Sequence, residues 1–188
     1  MSRDTDARER YISLATLHFA ERGYSGASLA QIAKEAGVSK QALLHFFGTK
    51  ERLYADVLSA LTQRLMADLD RSKTDDAERW LSDYFDRFAL AAFADPTDAR
   101  LVLRALLDSD AAARQWPVKA YLDALIALGT RTTRWQASHR DDVLADLYHT
   151  IGAVLCAAIS TPTLRGMYGN QATKRFARRQ QERVKTAF

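Results

Sequence analysis

A chain of 188 residues, 47% of them hydrophobic and with a formal net charge of +4, has the length for one small domain and one larger body. Its single cysteine, Cys156, excludes an intrachain disulfide, and only 8 glycines and 3 prolines favour long helices over a turn-rich β fold. No run of about 18 apolar residues suggests a membrane span. Charges from Arg3 onward show no secretory signal, so a reducing cytoplasm is expected.

The first predicted helix lies in TDARERYISLATLHFAERGY. Tyr11, Ile12, Ala15, His18 and Phe19 form its buried face, and Gly23 ends it. Ser28 is a good N-cap for the next helix, and Gln31 three residues later completes a capping box. Leu29, Ile32, Ala33 and Ala36 make an apolar stripe, and Gly37 stops the helix in a left-handed turn. Val38 is expected in the corner between helices. Ser39 caps a third helix that opens with Lys40, Gln41 and Ala42. Leu43 points inward and recurs with Phe46 or Phe47. This third helix is too short to be stable alone, so neighbours must hold it while one face stays free. Thr49 caps a long helix from Lys50 to about Lys73, with Leu53, Val57, Leu61, Leu65 and Leu69 on its apolar face.

The remaining chain reads as further helices. Asp76 to Ala94 is rich in aromatics: Trp80, Tyr84, Phe85, Phe88 and Phe93. Asp95 and Pro96 start another helix, a cap followed by a proline at the first helical position, which runs to about Ser109. Pro117 opens a helix toward Gln136, and Asp141 to Ser160 follows. Thr161 and Pro162 begin a last stretch that Gly166 and Gly169 interrupt before a final helix from Asn170. The helix at 141–160 carries a large apolar face of Leu144, Leu147, Tyr148, Ile151, Leu155 and Ile159. Beside it Gly152, Cys156 and Ser160 recur every four residues, with Ala153 and Ala157 adjoining. Such a row lets another helix approach closely.

Charge is unevenly spread. Residues 1–52 carry 8 basic and 6 acidic groups, residues 53–173 carry 13 and 16, and residues 174–185 carry 6 and 1. The basic tail, opposite Phe176, Val184 and Phe188, reads as a solvated helix face. Little points to catalysis. His149 and Cys156 stand seven residues apart, ~10 Å along a helix, too far for a nucleophilic pair. His139 with Asp141 and Asp142 has the wrong spacing for a closed metal site. No phosphate loop, metal cluster or triad is visible, so no enzyme activity, metal or cofactor is expected. Arg104 within LVLRALLDSD needs a negative partner if buried. Asp108 at i+4 is the expected one, with a ligand carboxylate as the alternative.

Residues 10–55 resemble the N-terminal domain of the TetR family of transcriptional regulators. The string FAERGYSGASLAQIAKEAGVSKQALLHFFGTKERLYADVL carries the likeness through F-x-x-x-G-Y, then I-A-x-x-A-G-V-S, then H-F-F-x-x-K, then a long helix. The resemblance implies an all-α protein. Residues 1–49 would form a three-helix DNA-binding head with a helix-turn-helix, and residues 50–188 a helical effector-binding and dimerisation body.

It also implies that Lys40, Gln41 and Ala42 open the recognition helix that meets base edges, that Ser39 at its cap belongs to the DNA-binding set, and that Ser28, His45 and Lys50 touch the backbone. Lys40 and Gln41 are long polar donors, and Gln pairs bidentately with adenine. Lys50 at a helix start is a poor match to the helix dipole, which a phosphate partner would explain. Leu44 stands where the family often has tyrosine, so a phosphate contact there is lost or replaced by apolar contact with a thymine methyl. Phe46 stands where a polar residue is common, and His18, in place of an apolar residue, is expected as a partly exposed structural histidine.

By the same resemblance the body holds a small-molecule pocket, for which Trp80, Tyr84, Phe88, Arg104, Trp116 and Tyr121 are candidate lining residues. The last two helices would pair with those of a second subunit, through Tyr148, Gly152, Cys156, Ser160, Phe176 and Val184. The expected protein is a dimeric repressor, bound to a palindromic operator in double-stranded DNA and released by an unidentified small-molecule effector. Control by a protein partner, or a helical enzyme or carrier, are the alternatives.

Overall fold

The computed structural model describes residues 3–107 and 117–185. Among these, eight helices and no strand occur: α1 (Arg3–Gly26), α2 (Leu29–Glu35), α3 (Lys40–Phe47), α4 (Lys50–Arg71), α5 (Ala77–Ala94), α6 (Thr97–Leu107), α7 (Pro117–Gly129) and α8 (Arg140–Lys185). The chain forms two compact units. One comprises Met1–Gln63 with Arg100–Val118, the other Arg64–Ala99 with Lys119–Phe188. Helix α4 therefore gives residues to both.

In the first unit, Tyr11, Ala15, Phe19, Ile32, Ala33, Leu43, Phe47, Leu53 and Val57 are buried as one apolar set. Helix α2 ends in a Schellman turn. The Gly37 amide donates to the Lys34 carbonyl at 3.1 Å and the Val38 amide to Ala33 at 2.9 Å, with Gly37 at φ 72°. Val38 is half-buried rather than sunk in the corner. The expected capping box is absent. The Ser28 side chain makes no cap bond. The Gln31 amide oxygen accepts from the Arg22 guanidinium instead, a stronger donor than a neutral backbone N–H. His18 is 5% exposed, not partly exposed as expected, and its Nε2 lies 3.0 Å from the Glu35 carboxylate.

Helix α1 is broken at Gly23, which has φ 69° and ψ 179°, a conformation open in practice to glycine alone. The break exposes carbonyls at the end of the main helix. Arg104 covers them: its Nε donates to the Ala20 carbonyl at 2.9 Å and its Nη2 to Glu21 at 2.6 Å. Arg104 thus places a cation on a helix C-terminus, which the peptide dipoles favour. Asp108 lies outside the described residues. A Cβ at position 23 would come 2.7 Å from Arg104 Nη1.

Helix α4 starts as predicted, with Thr49 Oγ1 accepting from the Arg52 amide at 3.2 Å. Leu53, Val57, Leu61, Leu65 and Leu69 are buried along it. It stops at Arg71, two residues early, where the Ser72 and Lys73 amides close turns onto Leu69 and Asp70.

In the second unit, α5 packs on α8. Asp76 caps α5 by accepting from the Arg79 amide at 3.2 Å. Helix α7 ends at Gly129, short of Gln136. The Thr132 hydroxyl donates to the Gly129 carbonyl at 2.7 Å, which satisfies a terminal acceptor and closes a turn. Trp135 then folds into the core and donates its indole N–H to Asp146 at 2.9 Å. A Cβ at 129 would sit 2.8 Å from Val143 Cγ1, so a side chain there would force Val143 to shift where these segments meet.

Helix α8 runs through Pro162 and Gly166 without a break and turns only at Gly169, with φ 79° and ψ 168°. Two interruptions expected from the sequence are therefore absent. Pro162 removes one amide donor on an exposed face. The Ser160 and Thr161 hydroxyls both fold back on the Ala157 carbonyl nearby, at 3.4 and 2.9 Å. One stretch of α8 has the length and apolar composition of a membrane span, against the sequence expectation. Its Val143, Leu147, Ile151, Val154, Leu155 and Ala158 are buried within the unit.

Gly23→Ala is expected to lower stability to urea unfolding by about 1–3 kcal/mol, from left-handed strain and the lost seat of Arg104. Arg104→Met should cost about 1 kcal/mol through the uncapped carbonyls. A Gly23→Ala midpoint equal to wild type would contradict the break as described.

Candidate nucleic-acid interface

Eight residues make α3, two turns of helix that need external support. Ser39 begins it with extended backbone, and its Oγ accepts from the Ala42 amide at 3.1 Å. Leu43 and Phe47 are buried, which settles the i+4 partner of Leu43 as Phe47. Tyr11 on α1 meets the ring of Phe46 edge-on at 5.1 Å and that of Phe47 at 6.5 Å. The Arg8 guanidinium lies 5.3 Å from the Phe47 ring centroid. Gly48, at φ 73°, ends the helix.

The inner face being spent on packing, the outer face is open. Ser39, Lys40, Gln41 and His45 are exposed, while Ala42, Leu44 and Phe46 are half-buried. Ser28 is half-buried, its hydroxyl uncommitted to the cap of α2. A surface cleft of about 440 Å³ runs beside the end of α3 and is lined by Arg8, His45, Phe46 and Arg52 among others. Arg8 is tied to Asp56 at 2.6 Å.

Lys50 is half-buried, with its Nζ 4.8 Å from the centre of the Tyr24 ring. The Tyr24 hydroxyl donates to Glu51 Oε1 at 2.6 Å. That bond, then backbone and Thr49 hydrogen bonds, holds the Glu51 carboxyl down at about 2. Tyr24 and Arg8 escaped sequence reasoning as interface residues. The aromatic after Gly23 was visible only as part of a motif, and nothing linear linked it to Lys50.

The candidate pocket residues do not form one set. Tyr84 and Tyr121 are fully buried, and the Tyr84 hydroxyl donates to that of Tyr121 at 2.7 Å. Burial pushes both phenols above their usual range. Phe88 stacks on Tyr84 at 6.0 Å. Trp80 donates to the Leu69 carbonyl at 2.8 Å, with Lys73 and Arg131 each 5.7 Å from its ring. Arg104 belongs to the first unit and is engaged with α1. Trp116 lies outside the described residues.

On α8, Tyr148 and Cys156 are exposed and Gly152 and Ser160 half-buried, so this row faces outward. Phe176 is half-buried. Val184 is buried inside its own subunit, which removes it from an outward-facing row. Met167 and Tyr168, each 65% exposed, extend the row and were missed because Pro162 and Gly166 read as breaks. His139 and Asp141 are exposed, 3.4 Å apart, as a solvated pair. No cluster of three or more metal-ligating side chains occurs among the described residues.

The family model described as bacterial regulatory proteins, tetR family, matches residues 12–57, the segment that contains this pinned helix and its exposed turn. The likeness to the TetR family is thus established for this N-terminal segment. Among relatives, the HTH-type transcriptional regulator RutR of Escherichia coli K12 is 40% identical over 75 residues, 39% of this chain and 35% of that protein. The match thus spans about a third of RutR, and less than half of the HTH-type regulators LmrA of Bacillus subtilis and SCO4008 of Streptomyces coelicolor. Over nearly the whole chain the likeness is one of fold. A TetR-like regulator from Rhodococcus sp. RHA1 superposes with TM-score 0.70 at 18% identity, covering 96% of this chain and 92% of that one. The FadR regulator of Bacillus subtilis, solved with stearoyl-CoA, gives 0.69 at 18%, covering 96% and 98%.

Removing one hydroxyl of the buried tyrosine pair strands the other, so Tyr84→Phe or Tyr121→Phe alone should cost about 1–3 kcal/mol. The double variant should cost less than the sum of the singles, read as a coupling in urea melts. Additive losses would mean that the two hydroxyls do not satisfy each other.

Proposed function

We propose that this protein is a ligand-responsive, DNA-binding transcriptional regulator, a dimeric repressor released from its operator by a small molecule. The observation that carries the reading is the leading turn of α3. Lys40 and Gln41 stand exposed on a helix whose opposite side is locked into a core by Leu43 and Phe47. A rigid helix with long polar donors at its N-terminal turn suits entry into a major groove.

In this reading Ser39, Lys40, Gln41 and Ala42 meet base edges, Leu44 offers apolar contact, and Ser28, His45 and Lys50 meet phosphates. The functional division lies between a DNA-binding head at 1–49 and an effector-binding and dimerisation body at 50–188. One short helix reads few bases, so two heads must act together. Tyr148, Gly152, Cys156 and Ser160, with Phe176 beyond the turn, are the proposed contacts between subunits. Two coupled heads then face a palindrome whose halves lie about 34–36 Å apart or multiples of it.

The buried aromatic cluster around Tyr84, Phe88 and Tyr121 supports an apolar effector site in the body. FadR of B. subtilis, solved with stearoyl-CoA, shares this fold. Effector binding would act through α4, the helix common to both units. A coupling of ~1–3 kcal/mol suffices to change operator affinity several-fold to over a hundredfold. The protein would work in the bacterial cytoplasm, and no enzyme activity is proposed. Control by a protein partner is the second reading; it predicts operator release by another protein and no response to any small molecule.

Selection of an operator from random duplexes, followed by effector screening, tests the proposal. Lys40→Ala with Gln41→Ala should abolish preference for the selected site while general affinity largely persists. Unchanged preference would remove α3 as the reading helix. An effector that tightens operator binding would replace induction by corepression.

A further inference from the structure

A lysine at the first position of a helix faces the positive end of the helix dipole. Lys50 occupies that position on α4, and the structure shows what offsets the mismatch. Its ammonium lies 4.8 Å from the centroid of Tyr24, within range of the negative face of the ring. The ring is itself fixed. Tyr24 follows the left-handed break at Gly23 and is 7% exposed. It packs 5.4 Å from the ring of Tyr54, and its hydroxyl donates to Glu51 at 2.6 Å. The Glu51 carboxylate is acidic enough, at about 2, to remain charged and accept that bond at any ordinary pH. Backbone, neighbouring ring and carboxylate together hold one aromatic face beside the corner where α3 ends and α4 begins.

We propose that Tyr24 is a positioning residue for DNA binding, its ring face holding the Lys50 ammonium in place for a backbone phosphate. The inference deepens the DNA-binding reading and rests on it. A free lysine samples many rotamers and loses that freedom on meeting a phosphate. A lysine already held against a ring has less to lose. Tyr24 touches no phosphate in this account; it acts through Lys50. Its ring, rather than its hydroxyl, carries the effect. Glu51 orients the ring and, as an anion adjacent in sequence to Lys50, cannot itself recruit a phosphate.

Two measurements on the full chain test this. In the free protein, the Lys50 side-chain methylene protons should show ring-current upfield shifts in wild type and in Tyr24→Phe, and lose them in Tyr24→Leu. Ordinary lysine shifts in wild type would overturn the proposal without reference to DNA. A random-sequence 30-bp duplex then serves as probe in an anisotropy titration over a salt series. Lys50→Met should make the slope of log affinity against log salt shallower by about 0.9, the value of one phosphate contact. Tyr24→Leu should lose most of the same increment, Tyr24→Phe should keep it, and Tyr24→Leu with Lys50→Met should lose no more than Lys50→Met alone. A wild-type slope retained in Tyr24→Leu overturns this inference and leaves the DNA reading standing. Absence of any salt-dependent duplex affinity in wild type removes that reading, and this inference with it. Should Tyr24→Leu fail to fold, the wild-type and Tyr24→Phe ring-current shifts and slopes still decide the matter, since loss of either in Tyr24→Phe contradicts a role for the ring.

Discussion

The head depends on how α3 is anchored. An eight-residue helix has no stability of its own in water, so its orientation is set by what its buried side meets. Leu43 and Phe47 lie one turn apart and both enter the core, while Tyr11 braces the aromatic end. Gly37 delivers the chain to this helix through a Schellman turn, Ser39 caps it, and Gly48 lets it stop. Once these conditions are met, Lys40 and Gln41 have nowhere to go but outward. Exposure of the polar turn is the consequence of packing on the other face.

Electrostatics in this protein work at short range. Residues 1–52 hold 8 basic and 6 acidic groups, too small an excess to steer DNA from afar. What the structure offers instead is placed charge. Lys50 sits on an aromatic face, Arg8 is tied to Asp56, and Arg104 covers the carbonyls that the Gly23 break would leave bare. The last of these joins the first unit's α6 segment to α1. Stability of the head and the geometry of its helix-turn-helix thus share one arginine and one glycine.

Much of this was legible in the sequence where the signal was local. Gly37, Ser39, Thr49 and Asp76 announced helix ends because capping chemistry is written in two to four adjacent residues, while α6 starts at Thr97, one residue past the Pro96 expected to open it. The apolar stripe of α4 was legible by its period. Signals failed where a distant group won. Gln31 left its cap for Arg22. Gly129 ended α7 early because Trp135 had an indole partner in Asp146. Pro162 and Gly166 looked like breaks, yet α8 absorbed both and bent only at Gly169. At the candidate site the residues of α3 could be named in advance. The Tyr24 seat of Lys50 could not, since it forms between segments twenty-six residues apart.

The central claim is that the outward turn of α3 is the surface that meets DNA. Amide chemical-shift mapping of the full chain, titrated with a selected operator duplex, tests it most directly. The account predicts the largest changes at residues 39–45 and at Lys50, with the basic helix at 170–185 little affected. Changes concentrated on Lys174, Arg175, Arg178 and Arg179, with α3 silent, would contradict it.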